Sequence, residues 1–149
     1  MTNINVFTDG ASRGNPGLAA IGIVIKDEAG NDILTHKKFL GEFTNNYAEY
    51  TALVESVKLL QNLKTEFEQI NFYCDSELVV KQINGQYKIK HKDLIKLSLE
   101  FWNQIKLLSK KFSIKHIPRE QNKIADRLAN EALDEISNNA PAKNLIFKS

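Results

Sequence analysis

A chain of 149 residues, 42% hydrophobic and 26% charged, is ordinary for one globular domain and long enough to bury a core. Its longest apolar runs fall far short of the ~20 residues of a membrane span, its first residues lack the succession of a secretory signal, and its single cysteine, Cys74, excludes an internal disulfide, so a cytoplasmic protein with no membrane partner is expected. The net charge of +2 is uneven: residues 81–119 carry ten Lys/Arg against Asp93 and Glu100, which leaves −6 elsewhere. Such a block is either the footprint of a polyanion or a solvated lysine-rich helix face, and charge alone does not choose between them.

Residues 3–9 alternate as a strand that ends in Asp9, followed by the turn sequence Gly14-Asn15-Pro16-Gly17. Residues 19–26 form a second strand, Glu28 to Asn31 closes a hairpin, and residues 32–40 return as a third strand. Asn45 and Asn46 are N-cap types at the start of a helix that runs to about Leu63. Along that helix Ala52, Leu53, Leu60 and Leu63 lie within about 60° of Glu49, so Glu49 sits on the apolar stripe. It is either solvated at the edge of the core or buried, and a buried lone carboxylate requires a partner or a cation.

Residues 69–74 are a fourth strand, again ending in a carboxylate, Asp75. Ser76 caps a short helix that reaches Ile83 and stops at Asn84-Gly85. A basic connector, Gln86 to Lys92, leads to a helix over 93–109 with Leu94, Leu97, Phe101, Ile105 and Leu108 on one face. Trp102 reads as packing, and His36 and His91 as surface residues. Residues 111–117 are a fifth strand. After Pro118 a last helix spans about Gln121 to Ile136, with Asp126 on the flank of its apolar stripe. Asp126 is there either as a surface acid favoured by the helix dipole or as a group facing the sheet edge. The domain is expected over 1–136, with 137–149 a loosely held tail.

Three consecutive strands followed by strands separated by helices predict an α/β fold, a five-stranded mixed sheet of three antiparallel plus two parallel strands flanked by helices. In such sheets ligands sit off the carboxyl ends of the parallel strands, where Asp9 and Asp75 fall. Asp9, Glu49, Asp75 and Asp126 in one crevice would repel one another unless cations neutralised them. Oxygen ligands suit Mg²⁺, with Mn²⁺ as a substitute, and two such ions roughly 3.5–4 Å apart promote in-line displacement at phosphorus.

The segments Thr8-Asp9-Gly10-Ala11 with Gly14-Asn15-Pro16-Gly17, Thr44-Asn45-Asn46-Tyr47-Ala48-Glu49, Asp75-Ser76 and Asn122-Lys123-Ile124-Ala125-Asp126, in this order, resemble ribonuclease H of type 1 over residues 3–136. The resemblance implies a ribonuclease H-like fold and endonucleolytic hydrolysis of the RNA strand of an RNA–DNA hybrid, leaving 3′-hydroxyl and 5′-phosphate ends, with two Mg²⁺. It implies that Asp9 bridges both ions, that Glu49 and Asp75 complete the one nearer the leaving group, and that Asp126 holds the one that activates water. Gly10, Asn15, Asn45, Asn46, Ser76 and Asn122 are the implied substrate contacts. Lys88 and Lys90 of the shortened basic connector are expected to contact the DNA strand's phosphates, and a monomer is expected. Two features depart from the family: Glu77 stands where a glutamine is common, and Pro118 to Gln121 holds none of the histidine that many members carry before the last helix. Arg119 or Glu120 are the candidates to stand in for it. The competing readings are a nucleic-acid adaptor of the same fold and a related nuclease acting on double-stranded RNA.

Overall fold

The computed structural model of the protein describes residues 2–139. Strands β1 (Asn3–Gly14), β2 (Gly17–Lys26) and β3 (Asp32–Phe43) come first, then helix α1 (Asn45–Gln61) and strand β4 (Gln69–Cys74). Helices α2 (Glu77–Ile83) and α3 (Lys92–Leu108), strand β5 (Lys111–His116), a 3-10 turn (Arg119–Gln121) and helix α4 (Lys123–Asn139) complete the order. The sheet runs β3-β2-β1-β4-β5. β1 to β3 pair antiparallel, and β4 lies parallel to both β1 and β5. The expected mixed sheet is therefore present. No described helix is long and apolar enough to cross a membrane.

The alternation in the strands decides how the layers form. Ile4, Val6, Ile70 and Phe72 are each at most 1% exposed and turn to one face, where α1 and α3 cover them. Burying an aliphatic or aromatic side chain of this size is worth about 1.5–3 kcal/mol. Phe72 meets Phe101 and Phe112 edge to face at 5.6 and 6.1 Å between centroids. Trp102 packs against Phe112 as expected, although 42% of it stays exposed. The opposite face of β2 is closed by α4, so β2 is buried almost throughout. Gly22 permits that approach, since a Cβ there would stand 2.0 Å from the carbonyl oxygen of Ala125.

Several boundaries move. β1 and β3 run to Gly14 and Phe43, so the three antiparallel strands extend together past the end of β4, with Asn15-Pro16 at the turn between β1 and β2. The cap of α1 is Thr44, which accepts from the N–H of Tyr47 at 3.2 Å, rather than Asn45 or Asn46. Ser76 caps α2 as expected, accepting from the N–H of Val79 at 3.3 Å. α4 begins at Lys123 because Arg119 to Gln121 form a separate 3-10 turn. It also continues to Asn139, so residues 137–139 are helical; the rest of the expected tail lies outside the described residues.

Candidate active site

The parallel register of β1 with β4 pairs Thr8 with Cys74, so Asp75, the first residue past the end of β4, stands beside Asp9, which stays paired with Gly22 of β2. Helix α1 crosses β1 at Gly10. A Cβ on Gly10 would stand 2.3 Å from the backbone carbon of Ala48, and its absence lets the first turn of α1 lie directly on the strand. The N–H of Gly10 then donates to Oε1 of Glu49 at 3.0 Å. Asp9 is 5% and Glu49 3% exposed, so the buried alternative for Glu49 is the one realised. One oxygen from each of Asp9, Glu49 and Asp75 lies within 4.8 Å of the others. Asp126, in the first turn of α4, stands outside that three-way group but lines the same cavity, which has a volume of about 400 Å³.

The charges on these groups show strain. Burial, then repulsion from Asp75, then hydrogen bonding and repulsion from Asp126 push Asp9 up to about 8, with nearby Arg119 pulling the other way. Burial first, then Asp9 and Asp75, raise Glu49 well above the carboxylate range, against the N–H of Gly10. The Cys74 thiol, 4.0 Å from Oε1 of Glu49, is raised chiefly by its own burial. Asp9 lies close to Glu49 and Asp75 and also to Asp126. An all-oxygen donor set in which Asp9 and Glu49 both resist ionisation fits hard divalent cations, which would supply the missing positive charge.

A layer of amides holds the carboxylates in place. Asn122 is 2% exposed, and its Nδ2 donates to the Thr8 carbonyl at 2.9 Å and to Oδ2 of Asp75 at 3.2 Å. Asn122, expected to meet substrate, is buried, does not line the acidic cavity and orients Asp75. Asn130 escaped the sequence reading. Its Nδ2 donates to the carbonyl of Asp126 at 2.9 Å and to Oδ1 of Asp126 at 3.3 Å, while its own Oδ1 accepts from Arg13 at 3.3 Å. The four-residue helical spacing of Asn130 from Asp126 was a readable signal. Arg13 is anchored in turn by Asp134 at 2.7 Å.

The other predicted residues divide by place. Gly10, Asn45 and Ser76 line the acidic cavity. Gly10 is buried against α1, so its smallness serves the helix crossing. Asn15, in the turn between β1 and β2, accepts from the N–H of Asn45 at 3.2 Å, and with Asn46 it lines a neighbouring hollow beside Tyr47 and His91. Lys88 and Lys90 are exposed on the connector, away from the cavity. Glu77 is bound to Lys81 at 3.1 Å. Glu120 lines a separate hollow with Phe7 and Val24, whereas Arg119 lines the acidic cavity, 3.7 Å from Oδ1 of Asp126. His91 is exposed as expected; His36 is not an ordinary surface group, since its Nε2 is buried without a partner among the described residues.

Comparison with known proteins agrees with this arrangement. A family model described as reverse transcriptase-like matches residues 7–132. The bifunctional protein Rv2228c of Mycobacterium tuberculosis is 38% identical over 141 residues, which is 92% of this chain but 37% of that protein, so the chain spans little more than a third of that relative's length. A ribonuclease H of Clostridium botulinum is 34% identical over 155 residues, covering 92% of this chain and 99% of that one. The crystal structure of LC11-RNase H1 in complex with an RNA/DNA hybrid matches with a TM-score of 0.84 at 40% identity, over 89% of this chain and 97% of that one. With one fold and this level of identity over most of both chains, the protein belongs to the ribonuclease H family, as a type 1 member.

Proposed function

We propose that the protein is an endonuclease that hydrolyses the RNA strand of RNA–DNA hybrids and leaves 3′-hydroxyl and 5′-phosphate ends. The observation that carries this reading is Asp9, shared between the Glu49/Asp75 pair and Asp126 in one cavity. Asp9, Glu49 and Asp75 would hold one Mg²⁺, and Asp9 with Asp126 a second, Mn²⁺ substituting for either. When bound, the two ions supply the Lewis acidity that activates a water and stabilises the leaving oxygen.

The chain's own residues supply the positioning. The N–H of Gly10 fixes Glu49, Asn122 fixes Asp75 and Asn130 fixes Asp126, so the carboxylates need little reorganisation when a strand arrives. The hydrogen-bonded pair Asn15 and Asn45, with Asn46 beside it, offers amides to 2′-hydroxyls across the minor groove, the feature that tells an RNA strand from DNA. The hydroxyl of Ser76 accepts from the N–H of Val79 and keeps its own proton to donate towards the cavity. Lys88 and Lys90 extend the track for the partner strand. The same reading takes the domain, through α4, as a monomer acting in a reducing cytoplasm; the free, buried thiol of Cys74 supports that compartment.

The test is cleavage of an end-labelled hybrid with Mg²⁺, with duplex DNA and duplex RNA as controls. Wild type is expected to cut only the RNA strand of the hybrid, and Asp9→Asn to cut none. An intact hybrid with wild type overturns the proposal in favour of an adaptor. Equal cutting of double-stranded RNA overturns the substrate assignment.

A further inference from the structure

The basic connector, Gln86 to Lys92, is held in two unequal halves. Its first half folds back on α2 through the backbone, because the Lys81 carbonyl accepts from the N–H of Gln86 at 2.8 Å and from that of Tyr87 at 3.2 Å. Among the described residues no backbone-to-backbone hydrogen bond reaches Lys88, Ile89 or Lys90. Ile89 packs against the core, and the polar tie at this point runs from Nε2 of Gln82 to the Lys88 carbonyl at 3.2 Å. The other end of the same amide is also engaged, since Oε1 of Gln82 accepts from the Tyr50 hydroxyl at 2.7 Å. Tyr50 is fully buried in α1, one residue after Glu49. A carbonyl only accepts, so Lys88 requires the NH₂ end of Gln82 and leaves the oxygen for a donor. The Tyr50 hydroxyl is that donor, and its packed ring holds the amide in one of its two orientations.

We propose that Gln82 is a positioning residue for hybrid binding: its amide, set by Tyr50, fixes the part of the connector that carries Lys88 and Lys90 relative to the helix that carries Glu49. This rests on the proposed role of the two lysines as a track for the partner strand. Gln82 is half-buried at the root of the connector and does not line the acidic cavity, so it acts through Lys88 and Lys90 and not on the reacting atoms. Lysines whose backbone is ordered in advance lose less freedom when they meet phosphates than lysines on a loose loop, so the benefit falls on binding. Contacts made equally before and during the chemical step do not speed that step, so turnover at saturation is left to the acids.

The test measures steady-state hybrid cleavage, and hybrid binding by fluorescence anisotropy over a range of salt in an Asp9→Asn background, for wild type, Gln82→Ala, Gln82→Glu, Tyr50→Phe and Lys88→Ala/Lys90→Ala. Gln82→Glu keeps the acceptor for Tyr50 and loses the donor for Lys88. It and Gln82→Ala are expected to raise KM about two- to tenfold, the range of one hydrogen bond, to flatten the salt slope, and to leave kcat within about twofold of wild type. Tyr50→Phe should act in the same direction and less strongly. In the Lys88→Ala/Lys90→Ala background Gln82→Ala should add no further loss. Trypsin without nucleic acid gives a second readout: cleavage after Lys88 should be faster in both Gln82 variants than in wild type. Gln82 variants with the wild-type KM and salt slope beside a lysine pair that flattens the slope, an unchanged tryptic rate, or a loss that persists in the lysine-pair background overturns the proposal and leaves the track standing. A lysine pair with an unaltered slope overturns the track itself and this inference with it.

Discussion

The N–H of Gly10 donates to Oε1 of Glu49 across 39 residues of sequence, at 3.0 Å, where α1 crosses β1. The crossing is so close that a methyl group on Gly10 would lie 2.3 Å from the backbone of Ala48 and 2.4 Å from the nitrogen of Glu49. Neither obstacle is a flexible side chain, so Gly10→Ala must push the helix off the strand. Strain of this kind costs about 1–3 kcal/mol or more, roughly 2–4 °C of melting temperature per kcal/mol for a chain of this size. Glu49 moves with the helix, so cleavage should fall by at least tenfold even where the variant is fully folded. Thermal melts beside hybrid-cleavage rates check both; a variant with wild-type stability would mean that α1 does not rest on Gly10.

Asp9 gives a dependence on pH whose sign is unusual for an acid. In chelator the folded protein keeps the Asp9 proton up to about 8, while the unfolded chain releases it near 3.8. Between those values the native state binds more protons than the unfolded state, so stability falls as pH rises from about 4 to about 8. Asp9→Asn removes the contribution of Asp9 to that slope, while buried Glu49, itself raised above the carboxylate range, keeps its own. Each pKa unit is worth about 1.4 kcal/mol, so the variant should melt several degrees above wild type at pH 8 in chelator. Adding Mg²⁺ reverses the order, stabilising wild type far more than the variant. Melting curves from pH 4 to 9 with and without Mg²⁺ decide the matter, and a wild type that gains stability towards pH 8 in chelator would contradict the burial of Asp9 among like charges.

Much of this site was readable before any coordinates because its acids interrupt strong patterns. Asp9 and Asp75 end apolar alternations, and Glu49 breaks an otherwise apolar helical stripe. What was not readable depends on approach between distant segments. Gly10 reads equally well as a turn glycine or a substrate contact, and only the crossing of α1 shows what its missing Cβ permits. Gly14 to Gly17 mark a turn but do not say how far the ladder runs back from it, so the stretch of β1 from Gly10 to Gly14 was missed. Asn122 looks like a helix-start residue with a free amide, yet its side chain is spent on Thr8 and Asp75 from 114 and 47 residues away. The +8 of residues 81–119 is a sum; it places neither Lys88 nor Lys90.

Asn122 therefore carries a prediction about positioning. Asn122→Ala leaves the buried Thr8 carbonyl without its donor and Asp75 free to turn. The unmet hydrogen bond costs about 1–3 kcal/mol, and loss of Asp75 orientation should lower the cleavage rate more than it weakens hybrid binding. Asn122→Asp is the sharper probe, because it adds a fifth carboxylate to the four of the site, set directly against Asp75, and removes the donor at the same time. It should destabilise the protein in chelator more than Asn122→Ala does, and added Mg²⁺ should narrow the gap. If both variants keep the wild-type rate while binding hybrid less tightly, Asn122 is a substrate contact after all.

Lys88 and Lys90 are exposed on a connector held at its base. Nε2 of Gln82 donates to the Lys88 carbonyl at 3.2 Å, and Ile89 packs against the core. The intervening Ile89 anchors the backbone, so the two lysines project from a fixed platform and can meet phosphates without first ordering the loop. Neutralising one phosphate contact removes about one counterion from the binding equilibrium, so each lysine lost should flatten the slope of log K against log salt by roughly 0.7–0.9. Lys88→Ala/Lys90→Ala is expected to weaken hybrid binding broadly across sequences and to leave the turnover rate at saturating hybrid within about twofold of wild type. Fluorescence anisotropy over a range of salt concentrations measures the slope, and an unaltered slope would place the track of the second strand elsewhere on the surface.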